Sequence, residues 1–274
     1  LSFFAAIVMA ILQGVTELFP ISSLGHAVIF PRLVGWGDLI HNPDFLPYLV
    51  VMHLGTAIAL FVYFWRDWAA FLRSAIKADT PRAATDRRLL LLVILATIPA
   101  VLVGAVLEHK LREAFANPAL VAFVLILNGA LLYFCDQIAG RGVGQLDQLN
   151  WKGALAIGVA QCFALVPGFS RSGLTIATGI VAGLKHEDAA RFSFLMATPI
   201  ILGATVHEAP KLLHGGHGLG VAALVSGVAA GLIAYATLVV LMRWFHGHEF
   251  NALRPFAYYC AVAGLVSLAL MLVI

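Results

Sequence analysis

Charge is what this sequence has least of: Asp, Glu, Lys and Arg together make up 11% of 274 residues, against about 25% in soluble domains. That scarcity excludes a water-facing globule of this size. Cysteine is scarce as well. Cys135, Cys162 and Cys260 are odd in number, lie in or beside apolar stretches and have no CxxC spacing. A disulfide framework and a zinc knuckle are thereby excluded, leaving three small packing residues. Heptads and low-complexity runs are missing, so coiled coil, collagen and disorder fall away too. The net charge is only +3 and most positive residues lie in loops between apolar blocks, so no nucleic-acid partner is expected. The apolar start, Leu1 to Leu12, lacks a basic lead-in and a small-residue cleavage site before Gln13, and is not read as a removable signal peptide.

What the chain does have is hydrophobicity, at 61% of residues, with a mean hydropathy of +0.94. It reads as an all-α polytopic membrane protein. A spanning helix takes about 20 mainly apolar residues, and six stretches meet that test: 46–65, 89–108, 118–135, 193–209, 218–242 and 255–273. Two further apolar regions, 1–33 and 153–184, are each broken near the middle. The breaks are Pro20-Ile21-Ser22-Ser23-Leu24-Gly25 and Pro167-Gly168-Phe169-Ser170-Arg171-Ser172-Gly173. The arms of the second, 153–166 and 172–184, are about 20 Å long each and reach only half-way across. Both regions are therefore read as re-entrant helical hairpins with irregular tips buried in protein.

Placing the basic loop 66–88 in the cytoplasm collects twelve Lys and Arg on that side and leaves four outside: Arg32, Lys110, Arg112 and Lys211. This satisfies the positive-inside rule and puts both termini outside. An internal repeat agrees with it: Gln13, Ser22, Gly25, Leu54 and Gly55 recur as Gln161, Ser170, Gly173, Leu202 and Gly203 at a shift of 148. The expected organisation is one membrane domain with repeat one at 1–135, a linker at 136–150 and repeat two at 151–274. Each half holds one hairpin and three crossings. An odd number of crossings inverts the second half, so the hairpins enter from opposite sides and their tips meet near the midplane.

Four ionisable residues lie within the apolar regions: Glu17, His26, His53 and Arg171. An unpartnered charge at a helix centre costs about 2.5 to 3.5 kcal/mol on insertion scales, so Glu17 and Arg171 are expected to face each other, a cavity or a ligand. Gln13 and Glu17 are one helical turn apart, on a face whose oxygens suit a hard divalent cation, Mg²⁺ or Ca²⁺. Ser22, Ser23 and His26 put hydroxyls and an imidazole on the first tip. On the second, Gly168 and Gly173 let the backbone bend, and Ser170, Ser172 and Thr175 surround Arg171. The helix that begins there makes an anion nest completed by a guanidinium suited to phosphate. Together these predict a phosphate-ester or pyrophosphate site inside the membrane. A structural Glu–Arg pair in a scaffold and an anion or lipid-phosphate transporter are the competing readings. His53 reads as hydrogen-bonded packing more readily than as a ligand. His207, Glu208, His214 and His217 are expected in an outer loop and His246 and His248 in an inner one, as solvated residues.

Leu12-Gln13-Gly14-Val15-Thr16-Glu17-Leu18-Phe19-Pro20-Ile21-Ser22-Ser23-Leu24-Gly25-His26, with Pro167-Gly168-Phe169-Ser170-Arg171-Ser172-Gly173-Leu174-Thr175, resembles the two motifs of the undecaprenyl-diphosphate phosphatase family linked to bacitracin resistance. The resemblance implies hydrolysis of undecaprenyl diphosphate to undecaprenyl phosphate and inorganic phosphate, which recycles the lipid carrier for cell-wall synthesis. It also implies the bacterial cytoplasmic (inner) membrane, a divalent cation, and a fold with two re-entrant hairpins and inverted repeats. By motif position Glu17 is the family's second acidic residue, Ser23 and His26 its reactive pair, and Ser170, Arg171, Ser172 and Thr175 its phosphate-binding tip. Gln13 stands where many members have a first Glu, removing a negative ligand, and Leu24 replaces the usual hydroxyl residue. The expected mechanism has Ser23 attacking with His26 as base, while attack by His26 itself or by water with Glu17 as base stay open. Access is expected from the outer face. The expected partners are the lipid diphosphate and the membrane, with a homodimer left open.

Overall fold

A backbone surrounded by hydrocarbon must satisfy its own N–H and C=O groups, and long apolar runs do so most simply as helices. The computed structural model describes residues 3–39, 45–76, 80–114, 117–138, 143–214, 221–248 and 250–273. Among them there are eleven α-helices and no strand: α1 Phe3–Thr16, α2 Ser23–Leu33, α3 Phe45–Tyr63, α4 Trp65–Ile76, α5 Pro81–Ala114, α6 Pro118–Ile138, α7 Trp151–Phe163, α8 Arg171–Val181, α9 His186–His214, α10 Val221–Gly247 and α11 Arg254–Met271. Five of these, α5, α6, α9, α10 and α11, are long and apolar enough to cross a membrane. A sixth crossing is reached if α3 and α4, bent by 71° at Phe64, count as one broken span.

The bend replaces part of what the sequence suggested was a basic loop at 66–88. In α4, Phe71 and Ser74 are buried while Trp65, Leu72 and Ile76 are exposed, the two-sided character of a helix lying at an interface. Arg191 of α9 pairs with Asp67 and holds α4 in place. The expected linker also begins later than 136. Asp136 belongs to α6 and is buried, accepting the Leu253 N–H at 3.3 Å and facing His186 Nε2 at 3.4 Å and Arg254 Nε at 3.5 Å. Residues 139–142 of that linker lie outside the described residues, as does His217. His207 and His214 belong to α9 rather than to a loop. His246 faces Glu187 at 2.9 Å and His248 stacks on Trp244. The three cysteines are free thiols.

The outside of the bundle is apolar, with Ile94, Ile98, Val101 and Leu102 of α5 and Val262, Leu265 and Val266 of α11 exposed. Small residues line the inside, where they let helices approach closely. A Cβ on Gly14 of α1 would lie 2.7 Å from the Ala230 carbonyl of α10, and one on Gly55 of α3 would collide with the Gly227 carbonyl of the same helix. Gly158 seats α7 against Ala96 of α5 in the same manner.

Part of the packing follows the repeat. Exchanging α1 with α7, α2 with α8, α3 with α9, α5 with α10 and α6 with α11 turns the α1–α10 contact into α7–α5. The same exchange turns α3–α10 into α9–α5 and α2–α11 into α8–α6, while α3–α9 and α6–α11 map onto themselves. The helix breaks match in detail as well. Ser22 caps α2 by accepting the Gly25 N–H at 3.1 Å, and Ser170 caps α8 by accepting the Gly173 N–H at 3.1 Å, each serving an otherwise orphaned helix N-terminus.

Candidate active site

The two breaks touch each other. A Cβ on Gly25 would lie 3.3 Å from the Cα of Gly168, and Ser172 Oγ donates to the Phe19 carbonyl at 3.1 Å. Asn128, in the middle of α6, ties them together from behind. Its amide nitrogen donates to the Pro20 carbonyl at 3.1 Å and its oxygen accepts the Ser170 N–H at 2.9 Å. Gly168 has φ of 105°, and a side chain there would meet the Val121 carbonyl at 2.5 Å. Glycine is thus required both for the turn and for seating the second tip on α6.

Above this contact Glu17 collects the site. It lies just past the last turn of α1, its N–H still bonded to the Gln13 carbonyl at 3.0 Å, and it is 6% exposed. Its Oε1 accepts from Arg171 Nη2 at 2.6 Å. Its Oε2 accepts from Ser23 Oγ at 2.6 Å and from Gln13 Nε2 at 3.0 Å, with His53 Nε2 of α3 at 3.4 Å. Two polar atoms in this cluster are buried without a partner: Arg171 Nη1, a donor, and Gln13 Oε1, an acceptor. Buried groups of this kind are normally satisfied, so a donor and an acceptor left over in one cluster suit a ligand that brings both an anion and a positive charge. Arg171 is also the first residue of α8, whose N-terminal dipole end favours an anion.

Gln13, Glu17, Ser23 and Arg171 are thus brought together as the sequence reading expects. The hydroxyls of Ser170, Ser172 and Thr175 lie beneath them. Thr175 Oγ1 bonds the Arg171 carbonyl at 2.7 Å and Ser193 Oγ at 2.6 Å, and Ser170 and Ser172 face each other at 3.1 Å. These side chains and Ser22 are 1–2% exposed, and their visible work is to fix the tips.

His26 stands apart from Ser23. Its Nδ1 lies 2.7 Å from the Ser22 carbonyl and its Nε2 2.8 Å from Tyr259 Oη of α11. A carbonyl only accepts, so Nδ1 is the donor, and in the neutral ring Nε2 receives the tyrosine hydroxyl. Both ring nitrogens are engaged, and the serine hydroxyl donates to Glu17 instead. The Ser23–His26 proton pair expected from the spacing is therefore not formed in this structure.

Tyr259 also lines an apolar groove of about 560 Å³ between α1, α2 and α11, with Leu12, Val15, Phe19, Ile21 and Phe256. Thr16, on its wall, directly precedes Glu17 in the chain, and Phe19 follows it by two residues. Asn128 and Tyr259 carry little signal in the sequence, and His53, although ionisable in an apolar stretch, reads there as packing. Each is a polar or amphipathic residue inside an apolar helix, the feature that usually marks an inter-helix contact.

With this geometry in view, comparison with known proteins is specific. The family model described as Bacitracin resistance protein BacA matches residues 6–266. A protein of Granulibacter bethesdensis named undecaprenyl-diphosphatase is 48% identical over 96% of this chain and 95% of its own length. Proteins of the same name from Acidiphilium cryptum, 47% identical over 97% of both chains, and from Gluconacetobacter diazotrophicus, 49% identical over 96% and 94%, match equally well. A paired acid and guanidinium held between two matching helix breaks, within a match that runs almost from end to end, make this chain a member of the BacA bacitracin resistance protein family.

Proposed function

We propose that this chain is an undecaprenyl-diphosphatase, hydrolysing undecaprenyl diphosphate to undecaprenyl phosphate and inorganic phosphate. It thereby recycles the lipid carrier of cell-wall synthesis and confers bacitracin resistance. One observation carries the reading: Glu17 accepts from Ser23 and Arg171 at 2.6 Å each, from opposite sides of two touching helix breaks inside an apolar bundle.

The chain lies in the bacterial inner membrane as six crossings and two re-entrant hairpins, in two inverted halves. Support comes from the helix lengths, since α1, α2, α7 and α8 have 14, 11, 13 and 11 residues and are too short to cross alone. Further support comes from the helix pairs, such as α1–α10 and α7–α5, that exchange into each other, and from the Lys and Arg asymmetry of the loops. That asymmetry puts the opening of the site on the outer face.

The diphosphate sits over the two tips, on Arg171 Nη1 and the N-terminal end of α8, while the prenyl chain leaves along the groove between α1, α2 and α11. Ser23 Oγ attacks the terminal phosphorus and passes its proton to the Glu17 oxygen it already touches. An Oγ–P bond forms as the bond from that phosphorus to the bridging oxygen breaks, and undecaprenyl phosphate leaves. Glu17 gives that proton to the departing bridging oxygen and is again a carboxylate. It then deprotonates the water that attacks phosphoserine. The P–Oγ bond breaks, Ser23 Oγ takes the proton back from Glu17, and inorganic phosphate is released. Arg171 stabilises the charge that develops on the transferred oxygens.

A divalent cation, Mg²⁺ or Ca²⁺, fits as one shared with the substrate. Gln13 Oε1 is a buried oxygen without a partner and Glu17 is the carboxylate beside it, whereas the described residues contain no group of three or more His, Cys, Asp or Glu able to hold a metal. Gln13 and Glu17 would hold it, and it would offset the diphosphate's negative charge.

Phosphate release from undecaprenyl diphosphate by the purified protein, with and without EDTA, tests the reading. Metal-dependent turnover that disappears in Arg171→Ala supports it. Binding or movement of the lipid without phosphate release identifies a transporter and overturns it.

A further inference from the structure

Beyond the acid, the glutamine, the serine and the arginine, a fifth polar side chain reaches the Glu17 carboxylate. It comes from α3, outside both motifs. His53 Nε2 lies 3.4 Å from Glu17 Oε2, the oxygen that also accepts from Ser23. The ring's other nitrogen is fixed, because Nδ1 lies 2.7 Å from the Leu49 carbonyl of the preceding turn and must donate to it. Rotation about the ring bonds is thereby removed, and Nε2 is aimed at the carboxylate. The side chain is 20% exposed, so it borders the site rather than filling core.

Its placement is built into the packing. Gly14 follows Gln13 directly and Gly55 lies two residues after His53, and both press α1 and α3 onto the same stretch of α10, Gly227 to Ile233. A larger residue at either glycine would move one helix away from the other's polar residue. The repeat adds an independent observation. At a shift of 148, Glu17 corresponds to Leu165 and His53 to Ile201, while Gln13 keeps its amide as Gln161. The acid and the imidazole are thus both present in one half and both replaced by aliphatic residues in the other. Gln161, without an acid one turn away, is left with neither amide atom partnered.

We propose that His53 is a positioning residue of the phosphatase reaction. As an imidazolium, with Nδ1–H on the Leu49 carbonyl and Nε2–H toward Glu17, it holds the carboxylate in the orientation in which Oε2 receives the Ser23 proton. With Arg171 on the other oxygen, Glu17 is restrained from both sides. The donors around it outnumber its single negative charge, the balance that a diphosphate needs. The proposal rests on the reading of Ser23 and Glu17 given above, and it is separable from that reading.

The test compares wild type, His53→Leu and His53→Gln in two measurements: kcat for undecaprenyl diphosphate, and Kd for its non-hydrolysable methylene-diphosphonate analogue. Glutamine carries an N–H donor about as far from the backbone as Nε2, and leucine carries none. Expected is a fall in kcat of at least about tenfold in His53→Leu with Kd within about threefold of wild type, and recovery of most of kcat in His53→Gln. The unchanged Kd shows that the leucine variant is folded and binds. A wild-type kcat in His53→Leu overturns the proposal, as does a glutamine variant no better than leucine, or a parallel loss of Kd. If wild type itself releases no phosphate, the phosphatase reading fails instead.

Discussion

Glu17 and Arg171 meet at 2.6 Å across 154 positions of sequence, and each stands at the helix end whose dipole opposes its own charge. The carboxylate follows the C-terminus of α1 and the guanidinium opens α8. Neither placement favours its own helix, so the two side chains stand there for each other and for a ligand.

Removing one partner alone leaves a buried charge uncompensated. Arg171→Ala is expected to lower phosphate release by about two to three orders of magnitude and to destabilise the protein by about 3 to 5 kcal/mol. Glu17→Leu combined with Arg171→Leu removes both charges and should regain most of that stability without any activity. Thermal unfolding in detergent beside a phosphate-release assay separates the two effects. A double variant less stable than Arg171→Ala would show that the pair contributes more than mutual compensation.

Rapid quenching should trap the transferred phosphoryl group on Ser23, as an acid-stable, alkali-labile ester. Ser23→Ala should lose about a thousandfold in kcat. An acid-labile phosphoenzyme that survives in Ser23→Ala and vanishes in His26→Ala would transfer the nucleophile's role to His26.

The repeat offers a matched pair of glycines with opposite expectations. A Cβ on Gly55 collides with the Gly227 carbonyl, whereas nothing lies within 4 Å of one on Gly203. Gly55→Ala should cost about 1 to 3 kcal/mol through overpacking. Gly203→Ala should be neutral or gain up to about 1 kcal/mol from helix propensity. Equal unfolding temperatures for the two variants would contradict the close α3–α10 approach.

Asn128 satisfies one backbone group on each tip, the Pro20 carbonyl and the Ser170 N–H. Asn128→Leu strands both, at about 1 to 3 kcal/mol each. Because it loosens the tips without touching a reacting atom, it should also raise KM for the lipid diphosphate. An unchanged KM together with unchanged stability would remove Asn128 from the site.

Gln13→Glu adds a second carboxylate beside Glu17, and it should lower the Mg²⁺ or Ca²⁺ concentration for half-maximal activity by about tenfold. Gln13→Leu, lacking the unpartnered oxygen, should raise it. Titrating the cation back after EDTA treatment reads both shifts, and identical curves for all three proteins would detach the cation from this position.

Much of the architecture is legible in the sequence because it follows from length and punctuation. Uninterrupted apolar runs became α5, α6, α9, α10 and α11, and Pro20 and Pro167 lie where two short pairs of helices break. The segment 66–88 misled because Arg66 and Arg73 resemble loop charge in a linear reading, although they share an amphipathic helix with Phe71 inside and Leu72 outside. At the site, spacing indicated which residues are polar in an apolar setting, but not which way each one faces. Ser23 and His26 are three apart on α2, yet the serine turns back to Glu17 across the break and the imidazole turns to Tyr259, 233 residues away. Asn128 and His53 act across helices whose proximity is decided by glycine contacts with α6 and α10. No local pattern encodes that proximity.

The substitution of Leu165 and Ile201 for Glu17 and His53 has a consequence for traffic across the bilayer. With its halves inverted as proposed, the acid and the imidazole belong to one half only. A pyrophosphorylated carrier arriving at the other leaflet would meet hydrocarbon where an acid ought to be. The sidedness of the hydrolysis would thus be written into two aliphatic side chains.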